Sequence, residues 1–247
     1  MINVIPLVSQ NYGCDYHRII IHLQIIRERY KDELSINTIT LMPDKTIVVD
    51  FDNVDVVIYN RFSKIRFEKL LELREKRRFK IICDLDDYWE VYDKHLAANL
   101  YKRGNLVLRQ IENLKAADMV WTTHTRLADL IKPYNKNVEI LPNSIPFEFG
   151  QFISNEKQPS ERIRFIYAGE SSHEKDLSIL RYPFQRIDQE IMNKAQFIMA
   201  GYIKNTTGVW DRMEAHYSLD GKLPYKRVDK LPIESYMNLY NEADVSL

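Results

Sequence analysis

The chain has 247 residues, enough for one large domain or two modest ones, and its 45% hydrophobic content suffices for a packed core. Lys and Arg total 35 and Asp and Glu total 35, a balance that argues against a general nucleic-acid binder, which would carry a basic excess. Two cysteines, Cys14 and Cys83, are too few and too far apart for a disulfide framework, and no apolar run reaches the roughly 20 residues that span a bilayer. A reducing, cytoplasmic setting is expected, and the N-terminus runs into a strand with no charged leader region.

Ile2–Val8 reads as a first strand, followed by a polar loop from Ser9 to Asp15 that contains Gly13. Helical spacing runs from about His17 to Tyr30, with Ile20, Leu23, Ile25 and Ile26 apolar. Ile36–Leu41, Ile47–Val49 and Val54–Tyr59 read as strands, and Ser63 is expected to cap a helix reaching about Arg77. Ile81–Cys83 is the next strand. A helical segment from Leu96 to Ala116, broken near Gly104, leads to a strand at Met119–Trp121, a short helix at Arg126–Ile131 and a strand at Val138–Leu141. This alternation predicts an α/β fold, a doubly wound parallel sheet with helices on both faces.

Pro142-Asn143-Ser144-Ile145-Pro146 is a turn-rich joint, and the polar stretch Gly150–Arg162 is a candidate linker. The expected domains are residues 1–147 and 148–247. The second alternation begins with Arg164–Leu177, which reads as a buried strand, a turn at Gly169, a polar loop and a helix start. In a parallel sheet, ligands gather at such carboxyl strand ends. Gly169 lets backbone come close to an anion, His173 can donate to a phosphate or sugar oxygen, and Lys175 can add positive charge. The alternative is an ordinary strand-to-helix connection capped by Asp176. After it come a helical stretch interrupted by Pro183, a strand at Ala195–Ala200 ending at Gly201, an irregular polar segment, a helix at Ile233–Asn241 and a last strand opening at Ala243.

Asp84-Leu85-Asp86-Asp87 is the densest acidic cluster and follows a strand. Carboxylates there can hold a divalent metal, orient a sugar hydroxyl or act as a base; the alternative is a solvated loop with a helix cap. The aromatic run Tyr88, Trp89 and Tyr92 suits the apolar face of a sugar, or else packs half-buried. Arg18 faces an anion or an acceptor hydroxyl, or lies on the surface of the first helix. Arg74, Lys76, Arg77, Arg78 and Lys80 complement a helix C-terminus, or attract anionic lipid headgroups by about 1 kcal/mol per basic residue. The six histidines and two cysteines have no metal-ligand spacing, and there is no Gly-x-Ser-x-Gly elbow.

Five segments together resemble the GT-B-fold glycosyltransferases, close to the family-4-like enzymes of surface-polysaccharide synthesis. They are Cys83–Trp89, Ala116–Ala128, Val138–Ile145, Tyr167–Leu177 and Tyr236–Val245. The resemblance implies two Rossmann-like domains with a nucleotide-sugar donor in the cleft between them, a saccharide or lipid-linked acceptor, and no metal or other cofactor. It implies that Gly169 and His173 line the diphosphate side, with Lys175 added from its charge. Asp86 and Asp87 would face the acceptor or the reacting centre, Gly13 would approach the donor, and Arg18 and Trp89 would lie on the acceptor side. Peripheral contact with the inner membrane face goes with the basic run. The family's acidic donor-binding motif would follow Val245, so the resemblance implies a truncated second domain and weak turnover. The rival readings are a non-catalytic nucleotide- or partner-binding remnant and a metal-dependent phosphotransferase or hydrolase built on Asp84, Asp86 and Asp87.

Overall fold

Short runs of branched apolar residues build two separate parallel sheets. The computed structural model describes residues 1–8, 13–37, 40–41, 47–60, 63, 65–91, 93, 98–153, 156–204 and 207–247. Expectations placed on residues 9–12, 38–39, 92 and 96–97 lie outside them. The chain divides into two compact units, Met1–Pro146 and Phe147–Leu247.

The strands of the first unit are β1 (Ile2–Leu7), β2 (Leu34–Ile36), β3 (Thr40–Leu41), β4 (Ile47–Val48), β5 (Val56–Asn60), β6 (Lys80–Leu85), β7 (Met119–Thr122) and β8 (Val138–Ile140). Six of them form one sheet in the order β2-β1-β5-β6-β7-β8, every neighbouring pair parallel, while β3 and β4 form an antiparallel ribbon. The chain leaves β1 towards β2 on one side and later returns to β5 on the other. The gap between β1 and β5 is therefore the topological switch point, where such sheets take ligands.

Both faces of this sheet are covered, which is why its strands read as apolar runs rather than alternating ones. Leu7, Val57, Tyr59, Ile81, Cys83 and Val120 pack under the helices Phe67–Arg77, Leu106–Ala116 and Thr125–Ile131. On the other face, Val4 and Ile58 meet Ile19 and Leu23 of the first helical segment. That segment starts at Gly13, earlier than expected, and contains a π-turn at Tyr16–Ile20 before the α-helix Ile21–Arg29.

Several boundaries differ from the sequence expectation. Ser63 caps no helix; its hydroxyl accepts from the Ile65 backbone N–H at 3.3 Å, and the helix starts only at Phe67. The strand expected to end at Cys83 runs on through Asp84 and Leu85. The helix break falls at Gly104–Asn105, where Asn105 takes a left-handed φ of 49°.

The second unit contains β9 (Ile163–Ala168), β10 (Ala195–Tyr202), β11 (Tyr225–Asp229) and β12 (Val245–Ser246), ordered β11-β10-β9-β12 and all parallel. Its switch point lies between β9 and β12. One face packs Phe197, Met199, Trp210, Met213 and Tyr217, and the other packs Ile166, Ile198, Ala200 and Leu239. The segment expected to be irregular and polar holds the helix Thr207–Ser218 and strand β11. Trp210, Met213 and Tyr217, spaced three and four apart, carry that helix into the core. Asp176 lies inside the helix Glu174–Ser178 rather than capping it.

Candidate functional site

The carboxyl edge of the first sheet holds a buried charge cluster. Asp84 and Asn60 are neighbours across β5 and β6, near the switch point. The Asp84 side chain is 1% exposed and that of Arg18, on the π-turn, is 6% exposed. The guanidinium grips the carboxylate with two bonds, Nε to Oδ2 at 3.1 Å and Nη2 to Oδ1 at 2.6 Å. Nη1 donates to the Leu141 carbonyl at 3.2 Å and to Asn143 Oδ1 at 2.7 Å. Asn60 Nδ2 adds a longer contact to Asp84 Oδ2 at 3.4 Å. One turn further along the same helix, His22 Nε2 meets Ser144 Oγ at 2.8 Å.

Burial sets the protonation behaviour here. It pushes the Asp84 carboxyl above the ordinary carboxylate range, against the opposing bond from Arg18. Burial works against the charge on Arg18, but the bond to Asp84 and the neighbouring negative charges, chiefly Asp84 and Asp86, together outweigh it and the guanidinium is pushed up. His17 and His22 are both lowered, first by burial. A bidentate guanidinium against a carboxylate is the geometry that keeps a buried pair ionised.

The sequence-predicted residues of this unit fall around the cluster. Asp86 follows β6 directly, half-buried, and its carbonyl accepts from Thr123 Oγ1 at 3.4 Å. Asp87 is exposed beside it. Gly13 begins the first helix rather than lying in the loop before it. Trp89 is only 4% exposed and belongs to the core, edge-on to Tyr134 at 5.8 Å. Its ring is packing, so the assignment of Trp89 to an acceptor is corrected, and Tyr88 is the ring at the surface. Among the described residues there is no group of side chains that could hold a metal ion. Of the basic run, Arg74 and Lys80 pair with Asp118, and Arg77 pairs with Asp52. Among the described residues no helix is long and apolar enough to cross a membrane.

At the carboxyl edge of the second sheet, Gly169 leaves β9 and Gly201 lies near the end of β10. A Cβ on Gly201 would sit 2.1 Å from the Gly169 carbonyl oxygen, and its φ of 110° favours glycine in any case. A Cβ on Gly169 would sit 2.3 Å from the Tyr167 hydroxyl, which itself donates to the Glu170 carbonyl at 3.1 Å. A side chain at 169 would thus collide with the Tyr167 phenol. His173 and Lys175 are exposed on the turn that follows. His173 Nδ1 lies 2.9 Å from Asp176 Oδ2, so its Nε2 is the nitrogen turned to solvent. Lys230 reaches Glu170 at 2.9 Å. Gly169 follows β9, His173 ends the tight turn Ser171–His173 and Lys175 lies in the helix Glu174–Ser178, while Asp86 is near enough to Arg18 for their charges to interact. Sequence reasoning missed Asn60, Asp84 as a buried partner, and Gly201; the signal for each was its place at a strand end.

The whole chain superimposes on three solved structures. It matches a sucrose-phosphate synthase from Thermosynechococcus elongatus with TM-score 0.64 and 10% identity, covering 100% of this chain and 75% of that one. The chain has the GT-B fold. It also matches a protein assigned as a UDP-N-acetylglucosamine 2-epimerase from Listeria monocytogenes, with TM-score 0.59, 8% identity and coverage of 99% and 73%. The co-structure of S. aureus MnaA with UDP gives TM-score 0.55, 10% identity and coverage of 100% and 74%. No protein-family model matches the chain, and no curated protein matches it in sequence.

Proposed function

We propose that this protein transfers a sugar from a nucleotide-sugar donor to a hydroxyl of a saccharide or lipid-linked acceptor, as a family-4-like glycosyltransferase. The observation that carries the reading is the second sheet's switch point, where the Gly169–Lys175 turn sits in a fold shared with nucleotide-sugar enzymes. In this reading the turn holds the donor diphosphate through backbone N–H groups, His173 and Lys175. The first unit serves the acceptor through Asp86 and Asp87, with Gly13 and Arg18 on the same sheet edge. An acceptor oxygen attacks the anomeric carbon, and the bond from that carbon to the diphosphate breaks. The nucleoside diphosphate leaves with the electron pair, and Asp86 takes the hydroxyl proton. Action in the cytoplasm, at or near the inner membrane face, goes with this reading.

Calorimetry with UDP and GDP, followed by turnover with their sugar conjugates and an acceptor panel, tests the proposal. Micromolar binding with sugar transfer supports it. Binding without any turnover leaves a nucleotide-binding module, and change at sugar C2 without an acceptor makes the protein an epimerase. If transfer occurs, Asp86→Asn is expected to lower kcat by about 10²–10⁴-fold, the range for losing a general base.

A further inference from the structure

We infer that the first unit holds an apolar group of its ligand in a cavity at the carboxyl edge of its sheet, and that this group is the apolar tail of the acceptor. The identity of the ligand as acceptor rests on the transferase reading; the apolar site itself does not. The cavity measures about 220 Å³. It lies where the helices Ala98–Arg103 and Leu106–Ala116 meet, next to Glu90 and Val91. The second helix leads through Ala117 and Asp118 into β7, which runs parallel to β6. Its Val107, Ile111 and Leu114 pack on the core of that sheet, so it lies along the strands and starts at the end where they finish. Asp86 and Asp87 leave β6 at that same end, the ligand edge of a parallel sheet. Glu90 and Val91, on the cavity wall, continue the segment that those two acids begin.

The lining decides the class of ligand. Val91, Ala98, Tyr101, Val107 and Leu108 give the cavity an apolar wall. Its two charged residues have partners: Lys102 Nζ bonds Asp93 at 2.9 Å, and Glu90 lies close enough to the Tyr88 hydroxyl to interact with it. Asn105 adds one amide. A sugar hydroxyl placed against that wall would lose water without gaining a partner. An apolar group has no such loss and gains by leaving water. An apolar cavity of ~150 Å³ takes a benzene ring, so this one has room for a ring-sized or branched alkyl group. Leu108 lines it while 59% exposed, so a chain can enter from solvent.

Calorimetry of the protein with methyl and octyl β-glucoside, the latter kept below its micelle concentration, tests the site without any donor. Each methylene that leaves water is worth about fourfold in affinity, so octyl glucoside is expected to bind at least tenfold more tightly than methyl glucoside. Leu108→Glu places a charge on the wall at an exposed position and is expected to weaken octyl glucoside at least fivefold, with a melting curve like wild type. Leu100→Glu, at 64% exposure on the neighbouring helix but outside the lining, is expected to keep octyl binding within twofold. Amide shifts on titration with octyl glucoside are expected at Val91, Ala98, Tyr101, Val107 and Leu108. Equal affinity for the two glucosides, or shifts confined to other residues, would overturn the inference. So would capture by phosphatidylglycerol vesicles that is lost equally in Leu100→Glu and Leu108→Glu without octyl glucoside binding, which would make this face a membrane contact. None of these readouts needs sugar transfer, so a protein that binds octyl glucoside and transfers sugar to no acceptor counts against the transferase reading alone. If transfer to these glucosides occurs, the octyl acceptor is expected to show a KM at least tenfold below the methyl one, and equal KM values would overturn the assignment of the cavity to the acceptor.

Discussion

Gly201 shows how a single position can be dictated by backbone alone. Its left-handed φ and the 2.1 Å approach of a Cβ to the Gly169 carbonyl leave no room for a side chain. Gly201→Ala is therefore expected to destabilise the second unit by ~2–4 kcal/mol, the sum of backbone strain and overpacking, measured by urea unfolding. Gly169 was legible in the sequence as a turn residue, but the Tyr167 ring that a side chain there would strike was not. The acidic cluster was legible as a patch, not as a division of labour. Nothing in Asp-Leu-Asp-Asp says that the first acid lies inside the strand and meets a guanidinium 66 residues earlier in the chain. Long-range pairing of that kind depends on which helix covers which face, and that is a tertiary property.

At the scale of elements, the two-residue strand β12 is held by more than its ladder. Asp244 accepts from the Arg164 backbone N–H at 2.9 Å and from its Nε at 3.1 Å, and returns its own N–H to the Arg164 carbonyl. The Arg164 bonds hold the Asp244 carboxyl down at about 2, against an ordinary value of 3.8. A depressed carboxylate stabilises the folded state above its unfolded pKa, and that contribution is lost as pH falls through the folded value. Thermal melts are thus expected to lose stability as pH drops from about 4 towards 2, with that loss reduced in Asp244→Asn. Strands with branched apolar runs, such as β5, β6 and β9, were readable from the sequence. Strand β11 was not, because Tyr225-Lys226-Arg227-Val228-Asp229 is an edge strand whose charges pair with the helical segments beside it; Arg227 meets Glu214 and Lys226 meets Glu242. The helix at Thr207–Ser218 hid behind its polar face although Trp210, Met213 and Tyr217 marked its buried stripe.

For the whole molecule, each unit has its own core on both faces of its own sheet. The joint after β8 exposes Ile145 and, at 86%, Phe147. Brief chymotrypsin treatment is expected to cut first near Phe147, giving two fragments by mass spectrometry; early cleavage within β5 or β10 would contradict this division. The alternation of strands and helices made the α/β class legible, but the strand orders were not. The two sheets double back differently, and only packing decides on which side a crossover lands. The contact of Gly169 on Gly201 also limits how such a molecule can be retooled. Because the Gly169 carbonyl stands where a side chain at 201 would go, position 201 cannot drift in sequence without dislodging the loop base beside it. Divergence towards a new ligand would have to be written at the loop tips, in Glu170, Ser171 and Ser172, over a foundation that stays the same.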